Sequence, residues 1–236
     1  MTLSHKPTKC LVTGKSGSGK SSYYNKFLLN AEYDKFFIFD HEGEFAFRNG
    51  LPACYSLTEE YVANNRYIIY DPTQEWEGDL EGGFNYFAEL SFRLGQNLPG
   101  KKLFACDELQ KLVGVHEVTH ELALLVETGR RYEIDTIFVS QQPNIVHNRL
   151  RNQLTEIVTF AHVDKRATAF LEDVGFEQNE MMNLKDLEFV VLDMRTMQQT
   201  KGQIEFDKAS APEVTSDRAD GAVDKTGPDC SPDQSS

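Results

Sequence analysis

Gly14-Lys15-Ser16-Gly17-Ser18-Gly19-Lys20-Ser21 reads G-x-x-x-x-G-K-S. Backbone N–H groups of such a glycine-rich turn, and of a helix N-terminus directly behind it, point at phosphate oxygens. The lysine of the pattern, Lys20, reaches the β- and γ-phosphates of a nucleoside triphosphate, and the Ser21 hydroxyl is a ligand for Mg²⁺. The stretch from Gly14 to Ser22 is therefore the candidate nucleotide cradle, with ATP and Mg²⁺ as its expected ligands. The alternative, a glycine-rich surface turn, does not account for an apolar strand before it and apolar helical spacing after it.

Leu103-Phe104-Ala105-Cys106-Asp107-Glu108 is the second chemical string. A buried apolar strand would deliver Asp107 to the Mg²⁺ shell beside Ser21. Glu108, one residue further, suits a general base that takes the proton of an attacking water. That glutamate is missing from most kinases and GTPases built on the same loop. A G-protein reading also meets Asp40-His41-Glu42-Gly43 and Asn183-Leu184-Lys185-Asp186. It fails because lysine would have to follow asparagine directly.

Two further candidates flank the strand Thr136-Ile137-Phe138-Val139-Ser140. Gln141, at its carboxyl end, is placed to sense a γ-phosphate or orient water, since ligands of open α/β sheets lie at the carboxyl ends of strands. An ordinary strand exit capped by Gln and Pro reads the same way. Gly129-Arg130-Arg131 precedes that strand. An adjacent arginine pair is commonly a solvated surface feature. The functional reading is an arginine supplied in trans to a neighbour's nucleotide, with Arg130 and Arg131 not distinguished and Arg149 and Arg151 as weaker candidates.

The elements that position these residues alternate. Strand-like runs fall at Lys9–Thr13, Phe36–Asp40, Arg66–Tyr70, Leu103–Glu108, Thr136–Ser140, Glu156–Ala161 and Glu188–Leu192, and their continuous apolar character suits parallel strands covered on both faces. Amphipathic spacing predicts helices over Gly83–Leu94, Glu117–Glu127 and Lys165–Val174, the last closed by Gly175. The pattern predicts an α/β three-layer sandwich with a mostly parallel sheet, and Met197–Phe206 alternates as an antiparallel edge strand. Residues 1–206 form the expected domain. From 207 to 236 the composition turns to Ser, Asp, Pro, Gly and Ala, an acidic tail expected to lack fixed structure unless a partner orders it.

The bulk properties narrow the class. The chain has 236 residues and a formal net charge of −13, which does not advertise nucleic-acid binding but leaves room for a local basic channel. Four cysteines without a C-x-x-C pair predict a reduced, intracellular protein with no zinc site. No signal peptide and no apolar run long enough to span a membrane are visible.

Taken in order, the P-loop, Phe39-Asp40-His41-Glu42-Gly43-Glu44-Phe45, Cys106-Asp107-Glu108, Gly129-Arg130-Arg131 and Phe138-Val139-Ser140-Gln141-Gln142-Pro143 resemble the FtsK–HerA superfamily of DNA-pumping ATPases. Ser140 stands where the family's T-Q-x-P string has threonine. The resemblance covers roughly residues 8–193. With the P-loop so near the start of the chain, no preceding domain is expected, and the bare core looks like the genome-packaging ATPases of tailless dsDNA viruses with an internal membrane. The resemblance implies a RecA/ASCE-type P-loop fold and a homo-oligomeric, hexameric ring. It implies double-stranded DNA as partner, and a capsid vertex or membrane-anchored viral proteins as the mount. It also implies a virion-vertex or host-cytoplasmic location, or a cytoplasmic one outside a virus. It places the Thr136–Ser140 strand between the P-loop and Asp107 strands, bringing Gln141 beside Lys20 and Asp107. The alternatives are a non-viral HerA-like DNA translocase, an assembly or secretion ATPase acting on protein, like the zonula-occludens-toxin-like proteins of filamentous phages, and a small-molecule kinase, for which no arginine-bearing lid is visible. Lys101, Lys102, Lys111, Arg149 and Arg151 are the electrostatic candidates for DNA. The loops Gln74–Gly83 and Leu112–Glu117 are candidate channel loops.

Overall fold

The structure, a computed structural model, describes residues 9–113 and 118–205. Among them the chain runs β1 (Lys9–Thr13), α1 (Lys20–Asn30), β2 (Lys35–Phe39), α2 (Glu44–Asn49), α3 (Glu59–Asn64), β3 (Tyr67–Tyr70), α4 (Leu80–Gly95), β4 (Lys102–Cys106), α5 (His120–Thr128), β5 (Ile134–Ser140), α6 (Asn148–Arg151), β6 (Glu156–Thr159), α7 (Lys165–Asp173), α8 (Gln178–Asn183), β7 (Glu188–Asp193) and β8 (Gln198–Gln203). The strands form one sheet in the order β3-β2-β4-β5-β1-β6-β7-β8. β1 to β6 are mutually parallel, and β7 and β8 are added antiparallel.

The apolar runs of the strands feed two cores. Leu11, Phe37, Phe39, Phe104 and Phe138 point to one face, where α4 and α5 bring Phe84, Phe87, Leu122 and Leu125. Their neighbours Cys10, Val12, Phe36, Ile38, Ala105 and Val139 point to the other, under Tyr23, Tyr24, Phe27 and Leu28 of α1. A strand buried on both faces has no use for alternation, which is why these runs are continuous. Phe104 packs tilted against Phe87 with ring centres 5.5 Å apart and edges Phe138 at 6.2 Å, so truncating it to alanine costs about 3–5 kcal/mol.

Local chemistry sets the helix starts. Asp79 accepts the Gly82 N–H before α4, Thr58 the Tyr61 N–H before α3, and Asp164 those of Arg166 and Ala167 before α7. Gly175, in the left-handed region at φ 111°, ends α7's turn as expected.

The three-layer sandwich, the parallel sheet and the antiparallel edge strand follow the expectation, and β5 lies between β4 and β1. Corrections concern the periphery. β7 is antiparallel: Val190 and Leu192 are buried while Phe189 and Val191 are only partly covered. α4 begins at Leu80, so the Gln74–Gly83 loop is shortened by its first turn. α5 begins at His120. The short α2, α3, α6 and α8 carried too few residues for periodicity to reveal them. The tail from 207, Phe206, Cys230 and most of the Leu112–Glu117 loop lie outside the described residues. Among the described residues no helix is long and apolar enough to cross a membrane.

Candidate nucleotide and catalytic site

Registers place Thr13, Phe39, Cys106, Ser140 and Thr159 at one rim of the sheet. The segments leaving these strands therefore meet: the P-loop after β1, Asp40–Glu44 after β2, Asp107-Glu108 after β4, Gln141 after β5 and Phe160–His162 after β6.

The P-loop is folded tightly against the β6 exit. The Lys15 N–H donates to the Ala161 carbonyl at 2.8 Å, and Ser18 closes the loop on the Lys15 carbonyl through its N–H at 3.3 Å and its hydroxyl at 2.8 Å. Gly14 is required by close approach: a Cβ there would stand 2.6 Å from Phe160 Cβ and 2.7 Å from Ser18 Oγ. Gly19, the residue before α1, sits at φ 114°, and its Cβ would crowd Leu187 and Phe160 at 3.0 and 3.2 Å. Lys20 is buried and folds back to donate to the Lys15 carbonyl at 2.8 Å. Its ammonium thus lies over its own loop. Burial lowers its pKa, while Asp107 and Glu108 oppose that shift. A phosphate in the loop would add the counter-charge that this desolvated ammonium lacks.

Ser21 and Asp107 face each other, with Ser21 Oγ 3.4 Å from Asp107 Oδ2. The other carboxylate oxygen accepts the Glu108 N–H at 2.7 Å. Burial, and secondarily the charge of Glu108, push the Asp107 carboxyl up to about 6, against the pull of Lys20. A desolvated carboxylate with one long contact and a hydroxyl opposite it fits a hard divalent cation with oxygen ligands, and Mg²⁺ suits that donor set.

Glu108 stands one residue beyond, its backbone left-handed at φ 52°. Gln141 Nε2 donates to Glu108 Oε1 at 3.1 Å, and the Gln141 N–H meets Gln110 Oε1 at 3.3 Å. The order of β4, β5 and β1 brings Gln141 to the rim that carries Lys20 and Asp107, where its side chain contacts Glu108. Glu108 Oε2 is ion-paired with Lys111. Asp40 turns away from ligand chemistry: its carboxylate accepts the Phe45 and Ala46 N–H groups at 3.2 and 2.8 Å and starts α2.

The arginine pair lies elsewhere. Arg130 and Arg131 are exposed in a 3-10 turn, Gly129–Tyr132, at the amino end of β5. β5 has seven residues, so the pair is about 20 Å of strand away from Gln141. The turn is on the Lys9 side of the sheet, where the charge of Arg130 acts on the Lys9 ammonium. Neither arginine joins the site of its own chain. Arg149 pairs with Glu127, and Arg151 lies over the Phe170 ring at 5.0 Å.

Other candidate DNA-binding cations are engaged as well. Lys102 is buried and donates to the Leu98 carbonyl, and Lys111 bridges Glu42 and Glu108. One residue escaped the sequence reading. His162 is buried at 1% exposure, its Nε2 3.1 Å from Thr13 Oγ1 under the P-loop. Burial, then Lys20, pull its pKa down to about 4, so it is neutral at physiological pH. A lone histidine after an apolar strand carries no motif; only its place beside the P-loop strand marks it.

No family profile and no curated protein matches this sequence. Solved structures do share the fold. The chain is similar to the genome packaging NTPase B204 from Sulfolobus turreted icosahedral virus 2 in complex with sulfate, at 14% identity and TM-score 0.64 over 86% of this chain and 99% of that one. The same NTPase in complex with AMPPCP gives 14% identity and TM-score 0.63, over 84% and 98%. The bacterial conjugative coupling protein TrwBdeltaN70 gives 11% identity and TM-score 0.60, over 85% of both chains. The chain shares the fold of these proteins.

Proposed function

We propose that this chain is an ATP-hydrolysing translocase of double-stranded DNA, working as a viral genome-packaging motor. The observation that carries the reading is the convergence of Lys20, Ser21, Asp107, Glu108 and Gln141 on one rim. That the fold extends over nearly the whole of a viral packaging NTPase supports it. The P-loop amides and Lys20 bind the triphosphate. Ser21 and Asp107 hold Mg²⁺, which neutralises phosphate charge when bound. Glu108 takes the proton of the attacking water, and Gln141 holds that carboxylate and reports the γ-phosphate.

The arginines at the opposite rim give the reading its oligomeric form. Arg130 or Arg131 can serve only a neighbouring copy, as expected in a hexameric ring, and an arginine acting in trans is worth about 10³–10⁵ in rate. The net charge of −13 favours a rival substrate, protein, for the same engine. Turnover measured with and without double-stranded DNA decides between them, paired with a mass measurement of the assembly with nucleotide. Stimulation by DNA is expected, and its absence would shift the reading to a protein-acting ATPase. Lys20→Ala and Glu108→Gln should each abolish turnover, with Glu108→Gln still binding ATP; normal hydrolysis by Glu108→Gln protein removes it from the base role.

A further inference from the structure

Glu108 is held at both carboxylate oxygens. Oε1 accepts from Gln141, and Oε2 is ion-paired with Lys111 three residues on. The same ammonium donates to Glu42 Oε1 at 2.7 Å, so the lysine ties the β4 exit to the loop after β2. The Lys111 N–H also returns to the Glu108 carbonyl at 2.8 Å and closes the turn. This turn keeps Glu108 left-handed, a conformation that costs a residue with a side chain and persists only when its surroundings impose it. His41 lies behind the bridge, its Nε2 3.8 Å from Glu42 Oε1. Burial lowers its pKa and leaves the imidazole neutral at physiological pH, so it is no rival cation for the two glutamates.

We propose that Lys111 is a restraint on Glu108: by bridging Glu108 to Glu42 it keeps the carboxylate engaged and turned from the attacking water, and turnover requires the bridge to open. This rests on the reading of Glu108 as the base. A general base must bring an oxygen within hydrogen-bond reach of the water, and Glu108 Oε2, beneath the Lys111 ammonium, is closed to solvent, so a water reaches that oxygen only when the ammonium moves aside. The bridge is built to open. Glu108 is mostly covered, but the lysine and Glu42 side chains are 46% and 44% exposed, so solvent and anions compete for the ammonium from outside. Lys111 acts through Glu108 and is a positioning residue, not a catalytic one.

The test is steady-state ATP hydrolysis by the full chain without DNA, at saturating Mg²⁺. Lys111→Ala and Lys111→Met, which retains most of the apolar stem, should each raise kcat about three- to tenfold with KM for ATP unchanged within twofold. Lys111→Arg, which can span the same two carboxylates, should return kcat toward wild type. A merely structural ion pair gives the opposite sign when cut: unchanged or lower kcat and a lower melting temperature. Both charge-removing variants at or below the wild-type rate would overturn the restraint. Glu108→Gln in the same assay separates the two ideas. If it hydrolyses ATP normally, the base reading fails and the restraint with it. If it is inactive while the lysine variants gain nothing, the base reading stands and the restraint falls.

Discussion

Acid is expected to loosen the P-loop through His162. The imidazole is buried against Thr13, the last residue of the P-loop strand, and the chain just before it supplies the Ala161 carbonyl that anchors Lys15. Its pKa falls from 6.5 in the unfolded chain to about 4 in the folded one. The unfolded state therefore binds the proton more readily. Stability is fully present above pH 6.5 and is lost as pH falls toward 4. With these two values the loss is about 2 kcal/mol between pH 8 and pH 5, and about 3 kcal/mol below pH 4. For a domain of this size that is a melting-temperature fall of about 4–8 °C at pH 5. Asp107 and Glu156 act in the other direction, because burial raises their carboxyls to about 6 and about 7. Their charged forms are penalised above those values, and the penalty is relieved as pH falls.

The raw profile is therefore a sum, and the informative quantity is the difference between wild type and His162→Asn, which keeps a polar partner for Thr13 but cannot charge. Urea unfolding at half-unit steps from pH 8 to 5 measures it. The variant is expected to lose stability at pH 8 but to gain on wild type by about 2 kcal/mol toward pH 5. A difference flat to within about 0.5 kcal/mol over that range would refute the argument that a neutral, desolvated imidazole supports the loop.

Other outcomes follow from the same geometry. Gly14→Ala should leave the sheet folded at a cost of about 1–3 kcal/mol, since Phe160 and Ser18 must move, and should weaken binding of a fluorescent ATP analogue at least about tenfold because Ser18 forms part of the loop's closure. Mg²⁺-dependent nucleotide affinity should fall as pH drops through about 6, where Asp107 takes up its proton; titration of the analogue with and without Mg²⁺ reads this, and Asp107→Asn should abolish the Mg²⁺ dependence at every pH. Arg130→Ala or Arg131→Ala should spare ATP binding and lower turnover only in the assembled state. Mixing an arginine variant with Lys20→Ala should restore activity at mixed interfaces, and no recovery at any ratio counts against a trans arginine.

The parts of the site legible in the sequence are those that one short segment specifies. Gly14, Gly19, Lys20 and Ser21 lie in one short segment, a loop running into α1, whose glycines are dictated by Phe160 and by backbone conformation. Asp107 and Glu108 end an apolar strand. Both signals survive without knowledge of the sheet. The position of β5 between β4 and β1 came only with the family likeness, because strand order leaves no local trace. The antiparallel turn of β7 was hidden by the run Phe189-Val190-Val191-Leu192, which reads like a doubly buried strand although half its side chains are only partly covered.

What stayed illegible is pairing across long separations, and it changes the chemistry most. Lys111 reads as a free cation for DNA until Glu42, 69 residues away, is seen on the same ammonium. Arg149 reads the same way until Glu127 is opposite it. Once Lys102, Lys111 and Arg149 are withdrawn, Arg130 and Arg131 stand out as exposed cations on the rim opposite the P-loop. In the proposed reading, a single copy carries the phosphate cradle and the general base at one end of its sheet and the complementary positive charge at the other, about 20 Å away. Stacked head to tail around a ring, each copy would present its arginines to the next copy's nucleotide. In the proposed ring, a catalytic site divided in this way would make hydrolysis depend on how neighbours sit, which is what a motor needs to convert turnover into movement.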